Sequence, residues 1–226
     1  MASTPSTEPT TITLVRHGES NVTVERVIGG HRSCTGLSGL GRQQSERLAA
    51  RLGETGELDA DVLLTSHFAR AIETAEIIRP ALGAVEFGDH WPEFGEHDPG
   101  PEIDGMTFDA YVDRFGTPDW NGDPHVEIFP GGETTAVFHE RVRGALERVL
   151  ATYPGRHVVV ACHGGVVDAV FRHVTGLDST GGFHLNTLNT SLTGFTAPAE
   201  PDRPWTVVRY NDSAHLAGLP ARTAAA

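Results

Sequence analysis

The sequence contains no lysine: all 17 of its basic residues are arginine. Schiff-base and lysine-nucleophile chemistry are thereby excluded. Cysteine is scarce too, with Cys34 and Cys162 the only two, so no disulfide framework holds the fold and a reducing cytoplasm suits it. No stretch approaches the roughly 20 apolar residues of a membrane span. The first residues, rich in Ser, Thr and Pro, show no basic region followed by an apolar one, the mark of an export signal. Positive charge is in deficit as well: 17 basic against 30 acidic side chains give a formal charge of -13, a poor match for nucleic acid. The expectation is a cytoplasmic protein with neither a membrane nor a nucleic-acid partner. Monomer and homodimer stay open.

What is present is enough for a real core, since 38% of the 226 residues are hydrophobic and 21% charged. The length suits one domain over 11–216, between flexible segments at 1–10 and 217–226. Short β-rich apolar runs at 12–15, 62–64 and 158–161 are each followed by a helical pattern, and the helical stretches in all are 38–52, 67–82, 133–153 and 166–174. Val137, Val142, Leu146, Val149 and Leu150 recur at helical spacing, which gives the third helix an apolar face to lay on a sheet. Later strands are expected at 191–196 and 205–210, where β-branched and aromatic residues gather. Strands alternating with helices predict an α/β three-layer sandwich, a mostly parallel central sheet with helices on both faces. Between about 87 and 132 the pattern dissolves into Gly, Pro, Asp, Trp and His, with a short helical signal at 108–115. This reads as an insertion that closes over a site and shapes substrate choice.

Three strand ends carry the chemistry. The first strand runs into Arg16-His17-Gly18-Glu19-Ser20, the second into Thr65-Ser66-His67-Phe68-Ala69-Arg70, and the third into Cys162-His163-Gly164-Gly165. In an open parallel sheet, ligands bind beyond the carboxyl ends of the strands, so two histidines and two arginines can converge in one crevice. Arginine offers a planar, permanent cation matched to phosphate oxygens, and glycines such as Gly164 let backbone N–H groups approach an anion at a helix start. A neutral imidazole is a competent nucleophile near pH 7. His17 could therefore take a phosphoryl group while Arg16, Arg70 and His163 stabilise its oxygens, and the departing oxygen would need a carboxylic acid nearby.

With these motifs the sequence resembles the histidine phosphatase superfamily, in its phosphoglycerate mutase-like branch, over most of its length. The resemblance implies a phosphoglycerate mutase-like fold, a phosphohistidine intermediate on His17, phosphate binding by Arg16, Arg70 and His163, a glutamate acid and base, and no metal or other cofactor. Glu96, followed by Gly100, Glu102 and Gly105, fits the family's acid; Glu93 is the rival. Thr23 stands where the family often has Asn, and Gly30 of Gly29-Gly30 matches a small-residue pair near the phosphate. The mutase members usually use a lysine for the substrate carboxylate, and none exists here. The implied partner is therefore a small phosphorylated substrate and the implied reaction phosphate-monoester hydrolysis. A cofactor-dependent mutase and a non-catalytic phospho-ligand binder are the alternatives.

Two blander assignments complete the reading. His90, His97 and His125 match no metal-ligand spacing and are taken as solvated loop residues, or as substrate contacts for His97 and His125. Adjacent residues on a strand face opposite ways, so Cys162 is read as a small core residue rather than the partner of His163.

Overall fold

The computed structural model describes residues 8–200 and 202–220. Six strands, β1 (Thr10–Arg16), β2 (Val62–Thr65), β3 (Glu86–His90), β4 (His157–Cys162), β5 (Leu192–Ala197) and β6 (Thr206–Asp212), form one sheet in the order β3-β2-β4-β1-β5-β6. The pairs β1/β4, β2/β4 and β2/β3 are parallel, and β5 runs antiparallel to both its neighbours. Among the described residues seven α-helices accompany it: α1 (Asn21–Val24), α2 (Gly39–Thr55), α3 (Ala69–Ile78), α4 (Gly100–Ile103), α5 (Phe108–Phe115), α6 (Thr135–Thr152) and α7 (Gly164–Thr175).

Strand alternation divides the core between the two faces. Ile12, Leu14, Val62, Leu64, Val158, Val160 and Cys162 pack with Phe138, Val142 and Leu146 of α6 and Val166, Val167 and Val170 of α7. The intervening Val15, Leu63, Val159 and Ala161 pack with Leu48 and Leu52 of α2 and Ala75 and Ile78 of α3. Each of these larger side chains, almost completely buried, contributes about 1.5–3 kcal/mol against exposure. The expected three-layer α/β sandwich is what forms, with the sheet mixed at the β5 side. Among the described residues no helix is long and apolar enough to cross a membrane.

The local signals explain most boundaries. The hydroxyl of Ser38 caps α2 by accepting from Gly41 N at 3.0 Å, and Gly56 ends it in the left-handed conformation at φ 60°. The helix expected over 67–82 begins only at Ala69, and beyond Ile78 it tightens into a 3-10 turn at Arg79–Leu82, because Pro80 has no N–H for an α-helical bond. The largest departure is in the stretch read as irregular. Its first residues form β3, an edge strand with little buried surface and Gly88 and Asp89 in it, so it shows neither alternation nor β-propensity. The rest holds α4, and α5 at 108–115, with a small core of Ile103, Tyr111 and Phe129. Of the terminal segments expected to be flexible, residues 1–7 and 221–226 lie outside the described residues, and β1 already begins at Thr10.

Candidate active site

The register of the sheet brings the site together. Arg16 pairs opposite Cys162, so the residues that follow, His17 and His163, leave neighbouring strands side by side, with ring centroids 5.0 Å apart. On the other flank of β4, Thr65 lies opposite Ala161. The chain continues through Ser66 into α3, whose second residue is Arg70. The loop after β1 is fixed by both helices of its face: Gly18 N donates to Thr74 Oγ1 at 3.1 Å, Glu19 N to Gln44 Oε1 at 2.8 Å, and Ser38 Oγ to Glu19 Oε1 at 2.7 Å. Gly41 approaches so closely that a Cβ there would stand 1.9 Å from the Glu19 carbonyl oxygen.

Arg70 joins the two imidazoles. Its Nε donates to His17 Nε2 at 3.1 Å and to His163 Nδ1 at 3.3 Å, and a terminal nitrogen reaches the Gly29 carbonyl at 3.4 Å. The side chain is buried, 4% exposed, and these hydrogen-bond partners are all uncharged, with the Phe68 ring 4.5 Å below the guanidinium. A buried permanent cation without a carboxylate is costly on its own and makes a place for an anion.

Hydrogen bonding also fixes the tautomers. His17 Nδ1 lies 2.6 Å from the Gly18 carbonyl oxygen, which can only accept, so Nδ1 carries the proton and Nε2 the lone pair. In His163 the pattern is reversed: Nδ1 accepts from Arg70, and Nε2–H donates to Ser66 Oγ at 2.8 Å. Complete burial, with Arg70, His17 and Arg16 adding repulsion, holds the His163 imidazole well below its ordinary pKa and hence neutral at pH 7.

Arg16 and Glu96 flank the start of α7. A guanidinium nitrogen of Arg16 donates to the Thr187 carbonyl, and its Nε would be 3.5 Å from a Cβ at Gly164. Glu96 Oε2 accepts from Gly165 N at 3.2 Å, and Oε1 from His97 N at 3.1 Å. Arg141 of α6 fixes that loop by donating to the carbonyls of Glu93, Gly95 and Glu96 and to the Glu133 carboxylate. Glu93, the rival acid, turns away and meets Arg148 at 3.4 Å. Two cavities, of about 440 and 630 Å³, meet at Glu96; the first is also lined by Gly29, Gly164 and Gly165.

Six of the residues singled out in the sequence, Arg16, His17, Arg70, Glu96, His163 and Gly164, are thus brought together. Thr23 is not linked to them by a hydrogen bond; its hydroxyl lies 2.9 Å from Ser20 Oγ. The N–H of Gly30 is taken by Asp104 Oδ1 at 3.0 Å, because that carboxylate also gathers the N–H groups of Arg32 and Ser33, and it is Gly29 that reaches Arg70 and the cavity. His90 and His125 are exposed, whereas His97 is buried. Cys162 is fully buried in the α6/α7 core, where burial pushes its thiol up out of reach of ionisation. Ser66, Gly165, Thr187 and Arg141 went unselected in the sequence. Only Ser66 carried a usable signal, its place at a strand end like that of His17.

Comparison with known proteins agrees with this geometry. The family model for the histidine phosphatase superfamily (branch 1) matches residues 12–213. The Bacillus subtilis phosphatase PhoE is 30% identical over 220 residues, covering 93% of this chain and 98% of its own. The metal-independent phosphoserine phosphatase of Arabidopsis thaliana is 27% identical, over 94% and 85% of the two chains. Among solved structures, Bacillus stearothermophilus YhfR superposes with a TM-score of 0.75 at 26% identity, covering 92% of this chain and 99% of its own. A Bacillus anthracis phosphoglycerate mutase shares the fold at a TM-score of 0.74 and 16% identity, over 93% and 96%. An enzyme by this kinship, the chain belongs to the histidine phosphatase superfamily.

Proposed function

We propose that the protein hydrolyses phosphate monoesters in two steps through a phosphohistidine on His17, without a metal. The observation that carries this reading is the buried Arg70 guanidinium held between the lone pairs of His17 and His163 with, among the described residues, no carboxylate paired to it. A phosphoryl group supplies the missing negative charge. In the first step His17 Nε2 attacks phosphorus in line as the ester P–O bond breaks, while Arg16, Arg70 and the N–H of Gly164 hold the equatorial oxygens and the His163 Nδ1 lone pair orients the Arg70 guanidinium. Glu96 gives its proton to the departing alcohol. In the second step Glu96, now a carboxylate, takes a proton from water as the water oxygen attacks phosphorus and the N–P bond breaks, which returns His17 and releases phosphate.

The positive charge that phosphoryl transfer needs comes from the two guanidinium groups, so the chemistry does not call for a metal. A relative named a metal-independent phosphoserine phosphatase supports this. The overall charge of -13 opposes an anionic substrate at long range, but salt screens that field beyond about 8 Å, leaving the local cations to dominate. Another relative is named a phosphoglycerate mutase-like protein. The absence of lysine and the engagement of Arg172, the guanidinium beside the first cavity, by Asp168 and three carbonyls favour hydrolysis over a mutase that must hold a glycerate carboxylate.

Brief mixing with a ³²P-labelled monoester, followed by an alkaline quench, is expected to leave an acid-labile, alkali-stable label on the protein that His17→Ala abolishes. A label that survives acid, or one retained in His17→Ala, overturns the histidine nucleophile. Turnover of 3-phosphoglycerate to 2-phosphoglycerate dependent on a bisphosphorylated primer would overturn the hydrolase reading.

A further inference from the structure

We propose that Arg141 and Glu133 are positioning residues for the proton donor: their ion pair holds the backbone on both sides of Glu96 and sets the aim of its carboxyl, and so governs protonation of the leaving alcohol rather than attack by His17. The inference rests on the monoesterase reading above and extends it to residues that act through Glu96.

The acid sits on a segment with little scaffolding of its own. Glu96 lies between a 3-10 turn at Pro92–Phe94 and α4, outside any helix or strand. Its carboxylate is held by two backbone N–H groups, that of Gly165 at 3.2 Å and that of its own neighbour His97 at 3.1 Å. A carboxylate gripped this lightly takes its direction from the backbone that carries it.

That backbone is fixed from α6. Arg141 Nη1 donates to the Glu93 carbonyl at 2.7 Å and to that of Gly95 at 3.2 Å, and Nη2 donates to the carbonyl of Glu96 itself at 3.3 Å. Nε and Nη2 also meet the two carboxylate oxygens of Glu133 at 2.8 and 2.9 Å. Glu133 closes the far side: its Oε2 accepts from Asp98 N at 3.2 Å, and its own N–H donates to the Asp98 carbonyl at 2.9 Å. Residues 93, 95, 96 and 98 are thereby tied to one planar fork and its counter-ion. Arginine presents donors in that fan, whereas lysine, a point charge, cannot span the same acceptors. The guanidinium also lies over the Phe138 ring, one turn earlier on α6 and 5.1 Å to its centroid, which keeps it from swinging away.

The nucleophile is oriented from elsewhere. The Gly18 carbonyl and Arg70 hold the His17 ring, and the loop behind it is bonded to α2 and α3. Loosening the bracket therefore misplaces the acid and leaves the attack intact.

The test sets 2-phenylethyl phosphate, whose alkoxide must be protonated, against 4-nitrophenyl phosphate, whose leaving group needs no proton. In Arg141→Lys, kcat/KM for the alkyl ester is expected to fall by about tenfold to a hundredfold, and for the nitrophenyl ester by less than about threefold. The retained nitrophenyl rate also shows that the variant is folded. Glu133→Gln, which loosens the bracket from its other end, should separate the esters in the same direction and carries the comparison if Arg141→Lys does not fold. Placed on top of Glu96→Gln, Arg141→Lys should cost the alkyl ester less than about a further twofold, because the group it acts through is already gone. Equal losses for the two esters, unchanged rates on both, or a full further loss in the Glu96→Gln background would each overturn the proposal. If the wild-type protein hydrolyses neither ester, or Glu96→Gln itself fails to separate them, it is the monoesterase reading with its acid that falls.

Discussion

Acid should begin to destabilise this protein before most of its carboxylates titrate, and His215 shows why. Its Nε2 lies 2.8 Å from Thr190 Oγ1, whose hydroxyl donates to the Asn189 carbonyl at 2.7 Å, so Nε2–H is the donor and Nδ1 holds a lone pair. Nδ1 is buried with no acceptor nearby, and a second proton there would have no partner. Burial, helped by Arg51, lowers the folded pKa to about 4 from 6.5. Below pH 6.5 the unfolded chain binds a proton that the folded chain refuses, so stability present above 6.5 is lost as pH falls and the loss levels off near pH 4. For His215 this comes to at most about 2 kcal/mol at pH 5 and about 3.4 kcal/mol once pH passes 4. His163 and His97, also lowered chiefly by burial, act in the same direction. The Asp212 carboxyl, held to about 2 by its hydrogen bonds with Arg51, comes into play only below this window. Urea unfolding followed by tryptophan fluorescence at pH 7.5 and 5.0, at constant ionic strength, measures the loss. The wild type should lose at least about 2 kcal/mol, and His215→Gln, which keeps a donor for Thr190, should lose roughly 2 kcal/mol less. Equal stability at the two pH values, or a variant with the full wild-type loss, would refute the reasoning.

Three more outcomes follow from the site. Glu96→Gln should lower kcat/KM, which reports the first step alone, by about 10²- to 10⁴-fold for an alkyl phosphate but far less for 4-nitrophenyl phosphate, whose leaving group needs no proton; equal losses in kcat/KM would remove Glu96 from the role of acid. In Gly165→Ala the new Cβ would stand 2.2 Å from Glu96 Oε1, so the carboxylate must move. The rate should fall about tenfold or more while the melting temperature holds, alanine being the better helix former by about 1 kcal/mol. Activity should persist in excess chelator, and a loss restored by a divalent ion would count against a mechanism carried by arginine alone.

Much of this architecture was legible in the sequence because its signals are local. Ser38 and Gly56 bracket α2, and short β-rich apolar runs mark β1 and β4. His17, Arg70 and His163 stand out because each follows a strand directly, or within one helical turn. What stayed hidden depends on contacts between distant segments. β3 lies at an exposed edge, where hydrogen bonding to β2 rather than burial defines the strand. Gly30 looked like a phosphate contact until Asp104, 74 residues away, claimed its N–H. His97 read as a solvated loop residue or a substrate contact, and only folding surrounds it with rings from positions 120, 129 and 138. Nothing local to Arg141 announces that it gathers the carbonyls around Glu96.

The shared N–H of Arg70 bears on how the resting enzyme survives its surroundings. While that bond points at His17 Nε2, the electron pair that would react with an alkylating or acylating agent is already engaged. Losing the bond exposes the pair, and in the reaction above the guanidinium leaves it by turning to phosphoryl oxygens. Unmasking is thereby coupled to occupancy, and stray electrophiles without a tetrahedral anion to offer meet a muted imidazole.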